Sequence, residues 1–223
     1  MNRWLVLAIV LTAAAWAGSL YLYYGDRDLL PDPVPIHWNM HGEPNGWAPR
    51  DSVLWVFLLL PGAMALLTLL TVVLPWLSPR AYEVSRFGKT FSYVMSMTVA
   101  LLGYLHGVIL WATFHGNRTF DVGRALFGGV LLFFVVIGNV MDKVRRNFWM
   151  GVRTPWTLAS EAVWDRTHRL AARLFVGGGL VGLAALLAGV PVLWCLGGFV
   201  AVVLTPVVYS LVLYKRLERQ GTL

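Results

Sequence analysis

Apolar residues in this chain are gathered into long runs, and they do not alternate with polar residues at the short periods typical of surface strands or helices. Six runs approach the ~20 residues that a helix needs to cross the hydrocarbon core of a bilayer. They cover residues 4–24, 53–77, 91–114, 125–141, 174–190 and 192–214. The pattern therefore predicts an all-α integral membrane protein with six transmembrane helices.

The composition agrees with a membrane protein, because 58% of the 223 residues are hydrophobic and only 13% are charged. The one cysteine, Cys195, falls inside the sixth run, which excludes an intramolecular disulfide and a cysteine-based metal site. The first run, up to Ala17, resembles a cleavable signal peptide. Because the run continues to Tyr24, a length suited to spanning, we interpret it as an uncleaved anchor.

The distribution of Lys and Arg predicts which way the helices cross the membrane. With the N-terminus in the cytosol, the inner segments carry 14 of the 18 basic residues and the outer loops carry 4. The positive-inside rule then places both termini in the cytosol, residues 25–52 outside and residues 142–173 inside. Since this topology accounts for most of the net charge of +7, we do not interpret the charge as a sign of direct nucleic-acid binding.

The predicted outer loop, residues 25–52, is rich in residues that restrict the backbone. Pro31, Pro33 and Pro35 fix φ near −65° and remove hydrogen-bond donors, so residues 31–36 are expected to be extended. Gly42, Pro44, Asn45 and Gly46 predict a turn, and Pro44-Asn45-Gly46 can satisfy one that needs a positive φ. Two tryptophans, Trp38 and Trp47, flank this turn.

His37, His41 and Glu43 in this loop are ligand types found at zinc sites. Histidines four residues apart share a face only in a helix, however, and the neighbouring prolines and glycines exclude a helix here. We therefore predict neither a metal nor another cofactor. Two interpretations stay open: His37 and Asn39 hydrogen-bond local backbone to hold a compact loop, or the loop is a recognition surface for a molecule outside the cell.

The predicted cytosolic segment, residues 142–173, contains a helix break followed by an amphipathic helix. Gly151 and Pro155 interrupt the chain, and Ser160 followed by Glu161 predicts a helix start. One face of the helix is mainly apolar and the other is basic. The first face contains Val163, Trp164, Thr167, Leu170, Ala171, Leu174 and Phe175, and the second contains Arg166, Arg169 and Arg173. The basic face suits lipid phosphates, a cytosolic partner, or both.

Polar residues within the predicted spans are few. His106 and Asn139 are costly in lipid and are expected to face the helix bundle or a watery cavity, where interhelical hydrogen bonds are the simplest role. Gly178 and Gly182 predict close helix packing. A small transporter or channel is the alternative function, although the chain shows no inverted repeat. No catalytic residue is predicted, because His37 has no nucleophile or metal partner at fixed spacing.

Two motifs resemble those of a known family. The outer loop is similar to the N-terminal domain of unknown function found in SdpI-like immunity proteins, although Asn45 stands where the family commonly carries an acidic residue. The residues that carry this likeness are Pro35, His37, Trp38, Asn39, Gly42 and Trp47. The cytosolic segment resembles the second, more specific signature of the same family. Its matching residues are Asn147, Gly151, Arg153, Thr154, Pro155, Trp156, Thr157, Leu158, Trp164 and His168.

The resemblance implies a multi-pass protein of the bacterial inner membrane that is not an enzyme. It implies protection of the producing cell from a secreted peptide toxin, recognised at the outer loop. It also implies a signalling role in which a small winged-helix repressor is held at the membrane, so that the protein raises its own expression. The motifs divide the chain into an N-terminal unit, residues 1–90, and an SdpI-type unit, residues 91–223.

Overall fold

The computed structural model of the chain describes residues 2–39, 42–115 and 121–223. Within these residues, six helices are long and apolar enough to cross a membrane, which confirms the predicted fold class. A short seventh helix and a two-stranded hairpin complete the fold. In chain order the elements are α1 Arg3–Gly25, β1 Val34–Trp38, β2 Pro44–Ala48, α2 Leu54–Leu77, α3 Gly88–His115, α4 Val122–Met141, α5 Pro155–Ala159, α6 Glu161–Leu187 and α7 Val192–Arg219.

The amphipathic stretch and the fifth span form one continuous helix, α6. Ser160 is its N-cap, as predicted, and its hydroxyl accepts a hydrogen bond from the Val163 amide. The face containing Val163, Trp164 and Ala171 is buried, whereas Arg169 on the basic face is exposed. The helix ends before Gly189, which has a φ of +88° and lets the chain turn sharply into α7.

The helices belong to two compact units, each built from two separate parts of the chain. The first unit comprises residues 1–70 and 95–130, and the second comprises residues 71–94 and 131–223. The unit boundaries therefore fall within α2, α3 and α4. The division at residue 90 is a division by sequence motif and stays a prediction.

Polar side chains of the first unit pair with one another between its helices. Ser19 on α1 is fully buried, and its Oγ lies 2.8 Å from Nε2 of His106 on α3 and 3.2 Å from the Phe57 carbonyl oxygen. A serine hydroxyl has one proton and a carbonyl only accepts, so both bonds form when Nε2–H of His106 donates to Ser19. The predicted interhelical hydrogen bond of His106 is thus confirmed.

Asn139 does not face the helix bundle, which was one of its two expected positions, because its side chain is exposed. Asn139 lies two residues before the end of α4 at Met141. At the end of an apolar span the amide can reach headgroups or water, so burial is not needed to satisfy it.

Glycines of α6 bring neighbouring helices of the second unit into close contact, as the spacing predicted. A Cβ built on Gly178 would lie 2.7 Å from a methyl carbon of Val202 on α7. One built on Gly179 would lie 2.9 Å from the Leu131 carbonyl oxygen on α4. One built on Gly182 would lie 3.0 Å from the Leu131 side chain. These glycines therefore serve packing, since a side chain at such positions would separate the helices.

Candidate functional site

The loop between α1 and α2 carries an antiparallel β-hairpin. Strands β1 and β2 pair with Val34 opposite Ala48, Pro35 opposite Trp47 and His37 opposite Gly46. Of the residues predicted to be extended, 31–36, residues 34–36 lie in β1. Two irregularities interrupt the pairing on either side of His37, so the ribbon is bent at that residue.

The hairpin turns at Gly42, which belongs to the predicted turn, and not at Pro44-Asn45-Gly46. Gly42 adopts the positive φ, +76°, whereas Pro44, Asn45 and Gly46 lie within β2. Asn39 closes the turn, because its backbone amide donates to the Glu43 carbonyl and its side-chain oxygen accepts from the Glu43 amide. Its side-chain nitrogen also donates to the Glu43 carboxylate over 2.8 Å. The Pro-Asn-Gly prediction is wrong because Asn39 and Gly42 supply a complete turn before it.

Gly46 is needed for close approach of the strands rather than for a turn. A Cβ at position 46 would lie 3.0 Å from the Cβ of His37, which is tighter than almost all real contacts. The room above Gly46 lets Nδ1 of His37 approach Oδ1 of Asn45 to 2.5 Å. Since an amide oxygen only accepts, Nδ1–H of His37 donates. His37 is thus fixed by a side chain, and not by the backbone bond that the sequence suggested.

The base of the hairpin is anchored to the helices of the first unit. Leu30 and Val34 are fully buried in a cluster with Tyr23, Phe57 and Leu110. Two further contacts stabilise the loop. The Thr113 hydroxyl donates to the Pro35 carbonyl over 3.3 Å, and Arg27 forms an ion pair with Asp51. The hairpin is therefore held at its base while its outer face is free to contact another molecule.

Three side chains make up that outer face, which we call the hairpin face: His37, Asn45 and Trp47. All three are exposed, and Trp47 presents 55% of its surface to the surroundings. Trp38 is half-buried, and its buried indole Nε1 has no hydrogen-bond partner among the described residues. His41 lies outside the described residues, and within those residues no cluster of His, Cys, Asp and Glu could hold a metal ion.

The second predicted motif lies in the connection from α4 to α6, residues 142–160, which we call the motif segment. Asn147 organises its first half and is fully buried. Its side-chain oxygen accepts from the amides of Trp149 and Met150, at 2.7 and 2.9 Å. Its nitrogen donates to the Arg145 carbonyl over 2.7 Å. One asparagine therefore satisfies backbone groups on both sides of a tight turn.

His168 joins the motif segment to α6. Its ring is buried, with Nδ1 2.8 Å from the Trp164 carbonyl oxygen and Nε2 accepting from the Val152 amide at 3.1 Å. A carbonyl only accepts and an amide only donates, so His168 is the neutral tautomer protonated on Nδ1. Gly151, with a φ of +103°, lies against the ring, where a Cβ would collide with Nε2. The ring also stacks on buried Trp164, with 4.0 Å between centroids.

The Thr-Pro-Trp-Thr sequence builds a helix start. Thr154 and Thr157 form a capping box at α5, and Pro155 occupies the first helical position, where its missing amide proton costs nothing. The Thr154 hydroxyl also lies 3.0 Å from the Ser210 hydroxyl on α7. Trp156 packs against the cluster of Val163, Leu213 and Leu217. These residues thus fix α5 against the last helix.

The arginines of the motif segment are more exposed than its asparagine and threonines. Arg153 is exposed, and its guanidinium donates to the Phe148 carbonyl. Arg146 is half-buried and donates to the Leu158 carbonyl over 3.1 Å. Phe148 packs against Tyr82 with tilted rings, 4.2 Å between the ring centroids, and is 38% exposed. Arg153 and Phe148 therefore form an exposed pair, the Arg153–Phe148 surface.

The structure brings the predicted site residues together in two places, the hairpin and the motif segment with the start of α6. It also reveals partners that sequence reasoning missed: Ser19, Glu43, Ser78, Val144 and Ser210. Ser78 accepts from Trp149 Nε1 over 2.8 Å, and the Val144 carbonyl accepts from Trp164 Nε1 over 2.7 Å. Ser19 and Ser210, as polar residues inside apolar runs, were the two with a usable signal.

Comparisons with known proteins match both parts of the chain. Residues 143–213 match the model of the SdpI/YfhL protein family, and residues 5–65 match a domain of unknown function, DUF1648. Immunity protein SdpI of Bacillus subtilis (strain 168) is 24% identical over 179 residues, covering 79% of this chain and 78% of the relative. No solved structure matches significantly.

The six spanning helices and these matches define a multi-pass protein of the bacterial inner membrane, in contact with membrane lipids. The two matched domains follow one another in the order that the motifs predicted, and the predicted resemblance is confirmed. The matches support a membrane immunity protein that is similar to SdpI, and the SdpI immunity family is not an enzyme family.

Proposed function

We propose that this protein protects a bacterium from a secreted peptide toxin that it recognises with the hairpin face on the outer side of the membrane. The observation that carries the proposal is Trp47, which is 55% exposed on a hairpin whose base is buried. A large apolar ring on a preorganised strand contributes contact area at a low entropic cost. His37 and Asn45 beside it supply polar groups for orientation.

The test uses the native host, so that the toxin need not be known. The gene is deleted, and the strain is exposed to conditioned medium from the parent, with protease-treated medium as the control for a peptide. Wild type and two variants are then expressed at matched membrane levels. Trp47→Ala is expected to lose most of the protection. Trp55→Ala, which changes a tryptophan that is 77% exposed at the start of α2, is the matched control and is expected to keep it.

Equal protection by the Trp47 and Trp55 variants would contradict recognition through the hairpin face. Unimpaired growth of the deletion strain in untreated medium would contradict the immunity proposal itself. Loss of membrane protein in the Trp47 variant alone would also count against the proposal, since an exposed ring should not be needed for folding.

The Arg153–Phe148 surface is proposed as the cytosolic site at which a small winged-helix repressor binds. Asn147, Thr154 and Thr157 of the motif segment are buried and hydrogen-bonded within the protein. Arg153 is exposed, and its planar guanidinium has donors beyond the bond to Phe148, so it can bind a carboxylate of a partner.

A separation of two activities tests this second site. Expressed from a constitutive promoter, Arg153→Ala is expected to keep most of the protection but to lose induction of a reporter on the gene's own promoter. Arg219→Ala removes an exposed charge from the end of α7, outside the motif segment, and is the matched control. A proportional fall of protein level, protection and induction in the Arg153 variant would mean that Arg153 only holds the loop together.

A further inference from the structure

A basic pocket of about 790 Å³ lies in the second unit, beside the start of α3 and the end of α4. Four cationic side chains and one carboxylate line it, so the lining has a formal charge of +3. The cations are Arg86, Lys89, Lys143 and Arg145, and the carboxylate is Asp142. The positive charge comes from two parts of the chain that are more than fifty residues apart.

The cations of this pocket are available to a ligand. All four are exposed, and the ion pairs within the described residues include only Arg145 among them, 3.9 Å from Asp165. Arg86, Lys89 and Lys143 thus concentrate positive charge in the pocket, and Asp142 is the one carboxylate among the lining residues. Like charges gathered in this way repel one another, and a bound anion relieves the repulsion.

The pocket lies at the depth of lipid headgroups. Lys89 stands two residues before Phe91, where the apolar run of α3 begins. Lys143 follows two residues after Met141, where α4 ends. Both spans therefore leave the hydrocarbon at this pocket. Buried Phe87, which is 6% exposed, gives the pocket an apolar wall beside its charges.

We propose that this pocket binds the phosphodiester of an anionic phospholipid. Arg86, Lys89 and Lys143 neutralise the phosphate, and the hydroxyl of Thr90 donates a hydrogen bond to its oxygens or to the headgroup. The Ser85 hydroxyl, which also lines the pocket, donates to the Glu83 carboxylate. The wall at Phe87 contacts the glycerol backbone, and the acyl chains run along the apolar surfaces of the spans. A lipid is favoured over a free phosphate ion because the membrane supplies it at this depth.

Binding is measured on the purified full-length protein in detergent. Short-chain phosphatidylglycerol, short-chain phosphatidylcholine and inorganic phosphate are titrated separately, with the thermal midpoint and the bound lipid in native mass spectrometry as readouts. Phosphatidylglycerol is expected to raise the midpoint saturably and to stay bound, whereas the other two leave it unchanged. Stabilisation by inorganic phosphate at equal concentration would overturn the lipid assignment, as would equal stabilisation by phosphatidylcholine.

Variants locate the site. Each cation near the membrane surface contributes about fivefold to the affinity for anionic lipid, so Lys89→Gln with Lys143→Gln is expected to weaken phosphatidylglycerol binding about thirtyfold. Arg216→Gln with Arg219→Gln makes the same change of charge on exposed residues of α7 outside the pocket, and is expected to bind within about twofold of wild type.

Equal weakening in both double variants, or none in the pocket variant, would overturn the proposal. If the pocket double variant does not purify as a folded protein, the single variants Lys89→Gln and Lys143→Gln are measured. Each is then expected to weaken binding about fivefold, and unchanged binding in both would contradict the site.

Discussion

The imidazole of His168 lies against the α-carbon of Gly151, so close that any side chain at position 151 would collide with Nε2. The backbone there has a φ of +103°, which residues other than glycine rarely adopt. The backbone conformation and the contact with His168 are therefore two independent reasons for glycine at position 151. The contact also places the Val152 amide within reach of the same nitrogen, which joins the motif segment to α6.

Gly151→Ala is therefore expected to be strongly destabilising. The backbone strain alone costs about 1–3 kcal/mol, and the collision with His168 adds to it. Gly189→Ala is the matched control. Gly189 also has a positive φ, +88°, but a Cβ added there would meet no described atom within 4 Å apart from its chain neighbours. Thermal unfolding of both purified variants should show the larger loss for Gly151→Ala. An equal loss would mean that the contact with His168 contributes nothing.

His168→Phe tests the hydrogen bond separately from the stacking. A phenyl ring can still stack on Trp164, but the Val152 amide loses its acceptor, and an unpaired buried donor costs about 1–3 kcal/mol. His115→Phe, a change at an exposed histidine, is the control and is expected to alter stability by about 0.5 kcal/mol or less. A similar thermal midpoint for the two variants would argue against the role of the His168 nitrogen.

Asn45 gives a test of the hairpin. Asn45→Asp keeps an oxygen that can accept from Nδ1–H of His37, whereas Asn45→Leu removes it at similar size. We expect hydrogen exchange of residues 42–48 to stay near the wild-type rate in the first variant and to rise several-fold in the second. The bond is exposed, so the cost is about 0.5–1.5 kcal/mol and membrane level should not change. Identical exchange in both variants would contradict a hairpin held by His37 and Asn45.

Ser19→Ala probes the polar pair inside the first unit. It removes the partner of His106 within the membrane, where such bonds contribute about 0.6 kcal/mol on average. A small but measurable fall of the thermal midpoint is expected. Gly18→Ala is the adjacent control, since its α-carbon has open space around it. If the thermal midpoint of Ser19→Ala equals that of wild type, the hydrogen bond between Ser19 and His106 makes no net contribution to stability.

The sequence predicted those features that depend on neighbouring residues. Apolar runs mark the spans because a bilayer requires that length, and Ser160 before Glu161 marks the start of α6 because capping is local. Contacts between distant residues were not predictable, because no local pattern says that Ser78 meets Trp149 or that Thr154 meets Ser210. Each of these pairs depends on how whole helices pack.

Prediction from local residues also failed where two neighbouring pairs of residues could each form the turn. Asn39 with Gly42 and Asn45 with Gly46 both suit a turn, and the first pair forms it because Asn39 bonds to Glu43 in three ways. The side-chain oxygen of Asn45 is then used across the hairpin by His37. At Asn139 the failure has another cause, since a polar residue near a helix end can be satisfied at the membrane surface.

The central claim is that the hairpin face lies outside the cell, where a secreted peptide can reach it. Its most direct test is cysteine labelling of intact cells with a membrane-impermeant reagent, in a Cys195→Ser background that removes the one native thiol. A cysteine at exposed Asp28, in the hairpin loop, should be labelled from outside, and one at Leu223 only after permeabilisation. The reverse pattern would place the hairpin in the cytosol and contradict recognition of a secreted toxin.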